Sequence, residues 1–211
     1  MLDCPLCHQL TSEALTVQGR SLHRCPRCRL VFADPSEHPS AADARDRYRH
    51  HRNSIADAGY VAFLNQAVEP ALKYLRPGGV GLDFGSGPHP TLSALVKRQG
   101  FACDDYDPIF GPALDRSKRY DFIFATECFE HFVDPAAELD LIQTLLKPGG
   151  VLTVMTERWD DKTDFSTWYY LRDFTHVAFY HPRTFAWIGE RYGFSAVYSD
   201  AERVIVLRKA A

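Results

Sequence analysis

Apolar positions recur every three or four residues from Tyr60 onward (Phe63, Leu64, Ala67, Val68, Ala71, Leu72, Leu75), which predicts a helix with one buried face over 60–75. Pro70 has no N–H to give to that helix, so a kink or a split is expected there. The pattern then shortens into apolar runs at 80–84, 102–106, 120–125 and 151–156, each bounded by glycine, proline or aspartate, as buried strands are. Between them lie helical patterns at 91–99, which begins after Pro90 and stops at Gly100, and at 135–146, where Asp134-Pro135 supplies an N-cap and first residue. Lys147-Pro148-Gly149-Gly150 is expected to end the second of these. A last helix over 182–192 stops at Gly193, and 194–199 with 203–207 read as a hairpin. Strands alternating with helices predict an α/β fold: a doubly wound, mostly parallel sheet with a C-terminal antiparallel hairpin at one edge.

The first 32 residues follow another pattern. Cys4-Pro-Leu-Cys7 and Cys25-Pro-Arg-Cys28 are two C-x₂-C knuckles 17 residues apart, with short strands expected at 14–17 and 22–24 around Gly19-Arg20. Two such knuckles complete the S₄ set of a closed, structural Zn²⁺ site, so a small zinc ribbon is expected with Cys4, Cys7, Cys25 and Cys28 as ligands. A redox C-x-x-C normally accompanies a βαβ pattern, which this segment lacks. Cys103 and Cys128 sit in apolar surroundings and read as core residues.

Length and composition then bound the rest. The chain has 211 residues, enough for one full domain and an appendage, and its 45% hydrophobic and 24% charged content is ordinary for a globular protein. No apolar run is long enough to span a bilayer, and the N-terminus shows no basic-then-apolar leader, so a cytoplasmic location and no membrane partner are expected. A net charge of −3 excludes a bulk electrostatic nucleic-acid binder. That charge is unevenly divided. Residues 1–52 carry eight arginines and no lysine against six acids, a net +2 that leaves −5 for the rest. Much of the excess lies in the arm Arg45, Arg47, Arg49 and Arg52.

Candidate chemistry begins at Gly81-Leu82-Asp83-Phe84-Gly85-Ser86-Gly87, a strand end followed by a glycine turn of the kind that admits a ligand against the backbone. About one βαβ unit later Asp107 closes the next strand, where an acid accepts ribose hydroxyls; alternatively it is a turn former before Pro108. A dinucleotide dehydrogenase would want a third glycine, and that position is Pro90.

With these residues, and with residues 120–127, Glu130-His131, Leu146-Lys147-Pro148-Gly149-Gly150 and Gly193-Phe194, the chain resembles the class I AdoMet-dependent methyltransferases over 60–211. The Glu130-His131 and Leu146-to-Gly150 motifs are similar to those of the ubiquinone-type branch. A Cys₄ ribbon ahead of such a domain resembles some bacterial sugar and natural-product methyltransferases. The resemblance implies a Rossmann-like fold and S-adenosyl-L-methionine as cofactor. Gly85, Ser86 and Gly87 would pass beneath its methionine moiety, with Asp83 and Phe84 also among the cofactor-binding residues; Asp107 would hold the ribose, and Thr126 and Glu127 would line the methionine end. One departure stands out: only 12 residues separate Asp107 from Tyr120, too few for the usual helix, third strand and second helix, and the acidic adenine loop has no counterpart beyond Asp115.

His131 and then His176 are the first candidates for a base that takes an acceptor proton, each with a structural alternative as a loop anchor. The long loop 157–182 holds eight aromatics that either wall an acceptor pocket or extend the core. Residues 33–59 are expected as linker and basic arm, with Tyr48, His51, Asn53, Asp57 and Tyr60 folding over the cofactor as a lid. A small-molecule acceptor is expected ahead of a structured RNA met by the ribbon and arginine arm, and ahead of a non-catalytic binding module.

Overall fold

The computed structural model describes residues 1–49 and 54–211. The lid expectations for His51 and Asn53, and the arm residues His50 and Arg52, lie outside the described residues. The N-terminal segment folds as five short strands: β1 (Leu2–Asp3), β2 (Leu10–Thr11), β3 (Ala14–Val17), β4 (Arg20–Arg24) and β5 (Val31–Ala33). Pairing runs β1 with β2 and β3–β4–β5, all antiparallel. The arm then coils into α1 (Ala41–Arg49) and α2 (Ala58–Leu72). Asp57 starts α2 as its N-cap, accepting the N–H groups of Gly59 and Tyr60 at 2.9 and 3.1 Å, and so it serves the helix rather than a lid. Pro70 does not split α2. It lies in the last turn, where its missing donor costs one hydrogen bond two residues before the helix ends.

Beyond α2 the chain alternates β6 (Val80–Phe84), α3 (Thr91–Arg98), β7 (Ala102–Tyr106), β8 (Tyr120–Thr126), α4 (Pro135–Leu145), β9 (Leu146–Met155), β10 (Ala178–Phe179), α5 (Pro182–Tyr192), β11 (Phe194–Ser199) and β12 (Val204–Lys209). The main sheet has the order β11-β12-β9-β8-β6-β7, parallel from β9 through β7 and antiparallel at the β11–β12 hairpin. Residues 107–119 contain neither helix nor strand, so the short spacing after Asp107 has removed the expected third strand. Leu146 already pairs with Tyr120, and Lys147-Pro148-Gly149-Gly150 forms an irregular start to β9 rather than a separate stop before it.

Period-2 alternation in the central strands divides the core. Phe122, Phe124, Val151 and Met155 face Leu64, Ala67, Val68, Leu92 and Val96 of α2 and α3. Ile123, Ala125, Leu152 and Val154 face the other way, with Leu139, Ile142, Phe185 and Ile188 of α4 and α5. Helices on both faces make this a doubly wound Rossmann-like sheet. Among the described residues no helix is long and apolar enough to cross a membrane.

The ribbon and the main sheet share a boundary. Strand β10, from the aromatic loop, pairs antiparallel with β5 and completes the sheet β10-β5-β4-β3. Leu22, Val31 and Ala33 then form a third core with Trp159, Tyr170, Val177 and Phe179.

Gly81 tests how tightly the main sheet is packed. A Cβ there would lie 1.8 Å from the Phe122 ring, against a fully engaged strand. Gly81→Ala is expected to cost about 1–3 kcal/mol by overpacking, read as a lower urea midpoint at unchanged slope.

Candidate active site

Strand β6 ends at Phe84 and the chain turns sharply, with φ of +82° at Gly85 and +67° at Gly87. The N–H groups of Gly85 and Ser86 both donate to the Tyr106 carbonyl at the end of β7, at 2.8 and 3.0 Å. The Gly87 N–H donates to Asp107 Oδ2 at 3.0 Å. Asp107 Oδ1 accepts from Ile109 and Phe110 at 2.8 and 2.9 Å, folding the chain back in an Asx turn. A Cβ at Gly85 would strike Cys128 Sγ at 2.6 Å, whereas nothing lies within 4 Å of one at Gly87, so that backbone faces open space. Cys128 is thus buried, as its surroundings predict, and also forms part of the wall.

These turns border a cavity of about 590 Å³ at the carboxyl ends of β6, β7 and β8. Asp83, Phe84, Gly85, Ser86, Gly87, Asp107, Thr126, Glu127, His131 and His176 all line it, drawn together from four segments of sequence. Tyr48 of α1 and Tyr60 of α2 close it from the helical side. Ile109 and Phe110 line it as well, while Asp115 faces a separate depression. The sequence reading missed both. Their one signal was the Asp107-Pro108 turn, which had to fold the following residues back over the strand end.

Glu127 has a strained backbone, φ +48°, and its Oε1 is buried without a hydrogen-bond partner among the described residues. Burial and then the Glu130 charge push its carboxyl up to about 9. Such an orphan acceptor suits a cationic donor such as the ammonium of an amino-acid moiety. Glu130 is fully buried and satisfied, accepting from Tyr170 Oη at 2.6 Å and Thr156 Oγ1 at 2.8 Å. His131 and His176 use Nδ1 against the carbonyls of Thr175 (2.9 Å) and Tyr170 (2.8 Å). A carbonyl only accepts, so Nδ1 carries the proton and Nε2 the lone pair in each neutral ring. Burial lowers the pKa of His176, keeping it neutral at neutral pH.

The sequence profile of the family described as "Methyltransferase domain" matches residues 46–199, nearly three quarters of the chain. The protein belongs to this methyltransferase family. Local similarity also links it to the ubiquinone biosynthesis O-methyltransferase of Acinetobacter baylyi, 32% identical over 73 residues; the match covers 34% of this chain and only 31% of that relative's length. Among solved structures, the magnesium protoporphyrin IX methyltransferase of Synechocystis, with bound S-adenosylhomocysteine, superposes with a TM-score of 0.55 at 15% identity, over 81% of this chain and 95% of that one. The mitomycin 7-O-methyltransferase MmcR gives 0.52 at 18% identity, over 72% and 55%. These likenesses establish the class I methyltransferase fold.

In this methyltransferase the aromatic loop does not wall the cavity. None of its eight aromatics lines it; Trp159, Tyr170, Phe179 and Tyr180 are buried core instead, and of the loop's residues only Thr175 and His176 reach the cavity. The Cys₄ cluster lies apart from it. All four sulfurs fall within 4.8 Å of one another, with Cys4–Cys28 at 3.6 Å and Cys7–Cys25 at 3.4 Å. These contacts are far longer than a disulfide bond and close to the ~3.8 Å edge of a tetrahedron with metal–sulfur bonds of about 2.3 Å. The two knuckles also repeat one turn: His8 and Arg29 adopt positive φ, and their N–H groups bond the carbonyls of Cys4 and Cys25 at 2.9 and 3.0 Å.

Asp83 lies beneath the glycine turn. Burial, reinforced by the Asp105 charge, pushes its carboxyl up to about 7. Between its ordinary pKa near 4 and that value, the folded state holds a proton that the unfolded chain has released, so stability falls as pH rises through this window. Asp83→Asn is expected to remove up to about 4 kcal/mol of that dependence, measured as the wild-type minus variant difference in denaturant stability from pH 4 to 8. A constant difference across the range would refute it.

Proposed function

We propose that this methyltransferase moves a methyl group from S-adenosyl-L-methionine to a small-molecule acceptor by in-line displacement, with the Cys₄ cluster as a structural zinc site. The observation that carries this reading is the single cavity that joins the glycine turn, Asp107 and the histidine pair. Its volume, about 590 Å³, falls within the roughly 300–1,000 Å³ of small-molecule sites. When bound, S-adenosyl-L-methionine supplies an electrophilic methyl group on a sulfonium. The open backbone at Gly87 and the positive-φ turn at Gly85 admit its methionine moiety, together with Asp83, Phe84, Ser86 and Thr126. Glu127 offers its unpaired oxygen to the ammonium group. Asp107 already takes three N–H bonds, two of them on Oδ1, which leaves Oδ2 capacity for a ribose hydroxyl. Ile109 and Phe110 sit beside that ribose position and are assigned to the adenine.

His131 and His176 are assigned to the acceptor side, where an acceptor proton is handled. Oxygen is the favoured acceptor atom, supported by the local match to a relative named as an O-methyltransferase. The ubiquinone-type branch rests on the same match and on the Glu130-His131 motif. The RNA reading loses support because two arginines of its arm are engaged within the chain. Arg45 donates to the Ile109 carbonyl at 3.0 Å and Arg47 pairs with Asp173 at 2.7 Å. Those contacts seat α1 across the cavity, which favours residues 33–59 as arm and lid between a ribbon at 1–32 and a methyltransferase domain at 60–211.

Calorimetry with S-adenosylhomocysteine is expected to show one site per chain, weakened at least about ten-fold in Asp107→Ala by the lost charge-assisted hydrogen bond. No binding by the wild type would remove the proposal. Elemental analysis is expected to show that Cys25→Ser lowers zinc by one per chain. Unchanged zinc in that variant would overturn the ligand assignment.

A further inference from the structure

The cavity is lined by carboxylates without cations to balance them. Asp83, Asp107, Glu127, Glu130, Asp134 and Glu138 all reach its surface, while among the described residues no lysine or arginine does. The whole chain holds 24 basic against 27 acidic side chains, so this imbalance is a local sorting of charge rather than a consequence of composition. We propose that the sorting selects the acceptor by charge: the cavity takes an uncharged or amine-bearing hydroxyl compound with an apolar body, and turns away phosphorylated, nucleotide-linked and carboxylated ones. That the selected molecule is a methyl acceptor rests on the methyl-transfer reading; the selection itself does not.

Neighbouring cations are engaged outside the lining. Arg45 donates to the Ile109 carbonyl at 3.0 Å and lies over the Phe110 ring, Arg47 pairs with Asp173 at 2.7 Å, and Arg203 pairs with Glu157 at 2.9 Å. Arg116 acts on Glu138 and Tyr106 without lining the cavity. The groups that titrate at the cavity respond accordingly. Tyr48, Tyr60, Asp83, Tyr106, Glu127 and Glu138 are all held toward their protonated forms, in each case by burial first, with neighbouring carboxylates adding to it. They come from helices and strands on several sides, so the whole cavity resists a further negative charge. A low-dielectric cleft with walls of one sign focuses its field on whatever enters. A phosphate or carboxylate brought there meets the penalty that these side chains already show, with no cation in the lining to offset it. S-Adenosyl-L-methionine, with two positive groups and one negative, carries the complementary sign.

Two of the carboxylates stand where the fold gains little from both. Asp134 caps α4 and Glu138 lies four residues on, a spacing at which like charges destabilise a helix. Neither forms an ion pair among the described residues. Asp134 Oδ1 has a structural task, accepting the Ala137 N–H at 3.0 Å, which an asparagine would perform equally well. Glu138 is held up by burial and then by the Asp134 charge, and its carboxylate supports no neighbouring element. Their charges are therefore available to read the sign of an incoming molecule, as discrimination by an unfavourable pairing requires. The same lining includes Phe84, Tyr106, Phe110, Phe132 and the half-exposed Val133, surface that favours an apolar body over a heavily hydroxylated one.

The test uses three probes with one ring and three charges, benzylamine, benzyl alcohol and benzoate, titrated at neutral pH into the full chain with and without S-adenosylhomocysteine and followed by calorimetry and ligand-observed NMR. Benzoate is expected to bind at least about ten-fold more weakly than benzyl alcohol, and benzylamine at least as tightly as the alcohol. Asp134→Asn with Glu138→Gln is expected to narrow the gap between alcohol and benzoate by at least about three-fold while the melting temperature stays within a few degrees, because the helix cap is kept. Glu138→Gln alone, which leaves Asp134 untouched, decides the matter should the double variant fail to fold. Benzoate binding as tightly as the alcohol, a gap unchanged in these variants, or no binding of any probe at millimolar concentration overturns the proposal. S-Adenosylhomocysteine binding, measured on the same samples, separates the two ideas: charge selection without the nucleoside refutes methyl transfer alone, and the nucleoside with benzoate bound as well as the alcohol refutes charge selection alone.

Discussion

Much of this structure depends on one buried strand pairing, the short antiparallel contact between β5 of the ribbon and β10 of the aromatic loop. Two register pairs, Ala178 with Phe32 and Phe179 with Val31, are a small ladder. It is reinforced by the Ala33 N–H on the Val177 carbonyl at 2.9 Å and by the ribbon–loop core that includes Trp159 and Phe179. Arg20 of β4 adds three more anchors, donating to the carbonyls of Leu171, Asp173 and His176 at 3.1, 3.2 and 2.8 Å. Gln18 binds the carbonyls of Phe165 and Trp168. A long loop with little secondary structure of its own is thereby held by a domain that distance in sequence gave no reason to place beside it.

What that loop holds is one side of the cavity. Tyr170 supports Glu130 through its hydroxyl and His176 through its carbonyl, and the Thr175 carbonyl orients His131. The opposite side depends on other contacts: the glycine turn after β6, the Tyr106 carbonyl and the Asp107 carboxylate, all at the ends of parallel strands. Two scaffolds therefore meet at one pocket. The parallel sheet carries the residues assigned to the cofactor, and the ribbon-braced loop carries those assigned to the acceptor.

The glycine-turn side of the cavity was legible in the sequence because its demands are local. Positive φ at Gly85 and Gly87 needs glycine, an acid must follow the second strand, and alternation such as Phe122-Ile123-Phe124-Ala125 marks a strand buried on both faces. Even the 12 residues after Asp107 signalled a shortened helix or a lost third strand, and neither element forms there. The loop side of the cavity was not legible, for physical reasons. Strand β10 is two residues long and acquires its identity from a partner near the other end of the chain. The aromatic content of 157–182 serves a pocket or a core equally well, and only the packing of Trp159, Tyr170 and Phe179 against Leu22 and Val31 decides between them. Helix α1 is too polar to announce a buried role, yet Ala44 and Tyr48 reach the cavity because Arg45 and Arg47 secure its flanks.

On the proposed reading, this division gives the Cys₄ ribbon a role that its separation from the cavity hides. Displacement at a methyl carbon depends on alignment, and misplacement of a reacting group by about 1 Å can cost around a hundred-fold in rate. On that reading the parallel sheet sets the position of the cofactor without the ribbon. His176, however, hangs from a loop whose carbonyls are held by Arg20, and Arg20 is held in turn by a strand that the cysteine knuckles bracket. The guanidinium is half-buried over the Phe179 ring and ties the Leu171, Asp173 and His176 carbonyls of the loop to β4. On the proposed reading, a structural metal with no open position governs the rate by fixing where the acceptor stands, without touching substrate or cofactor.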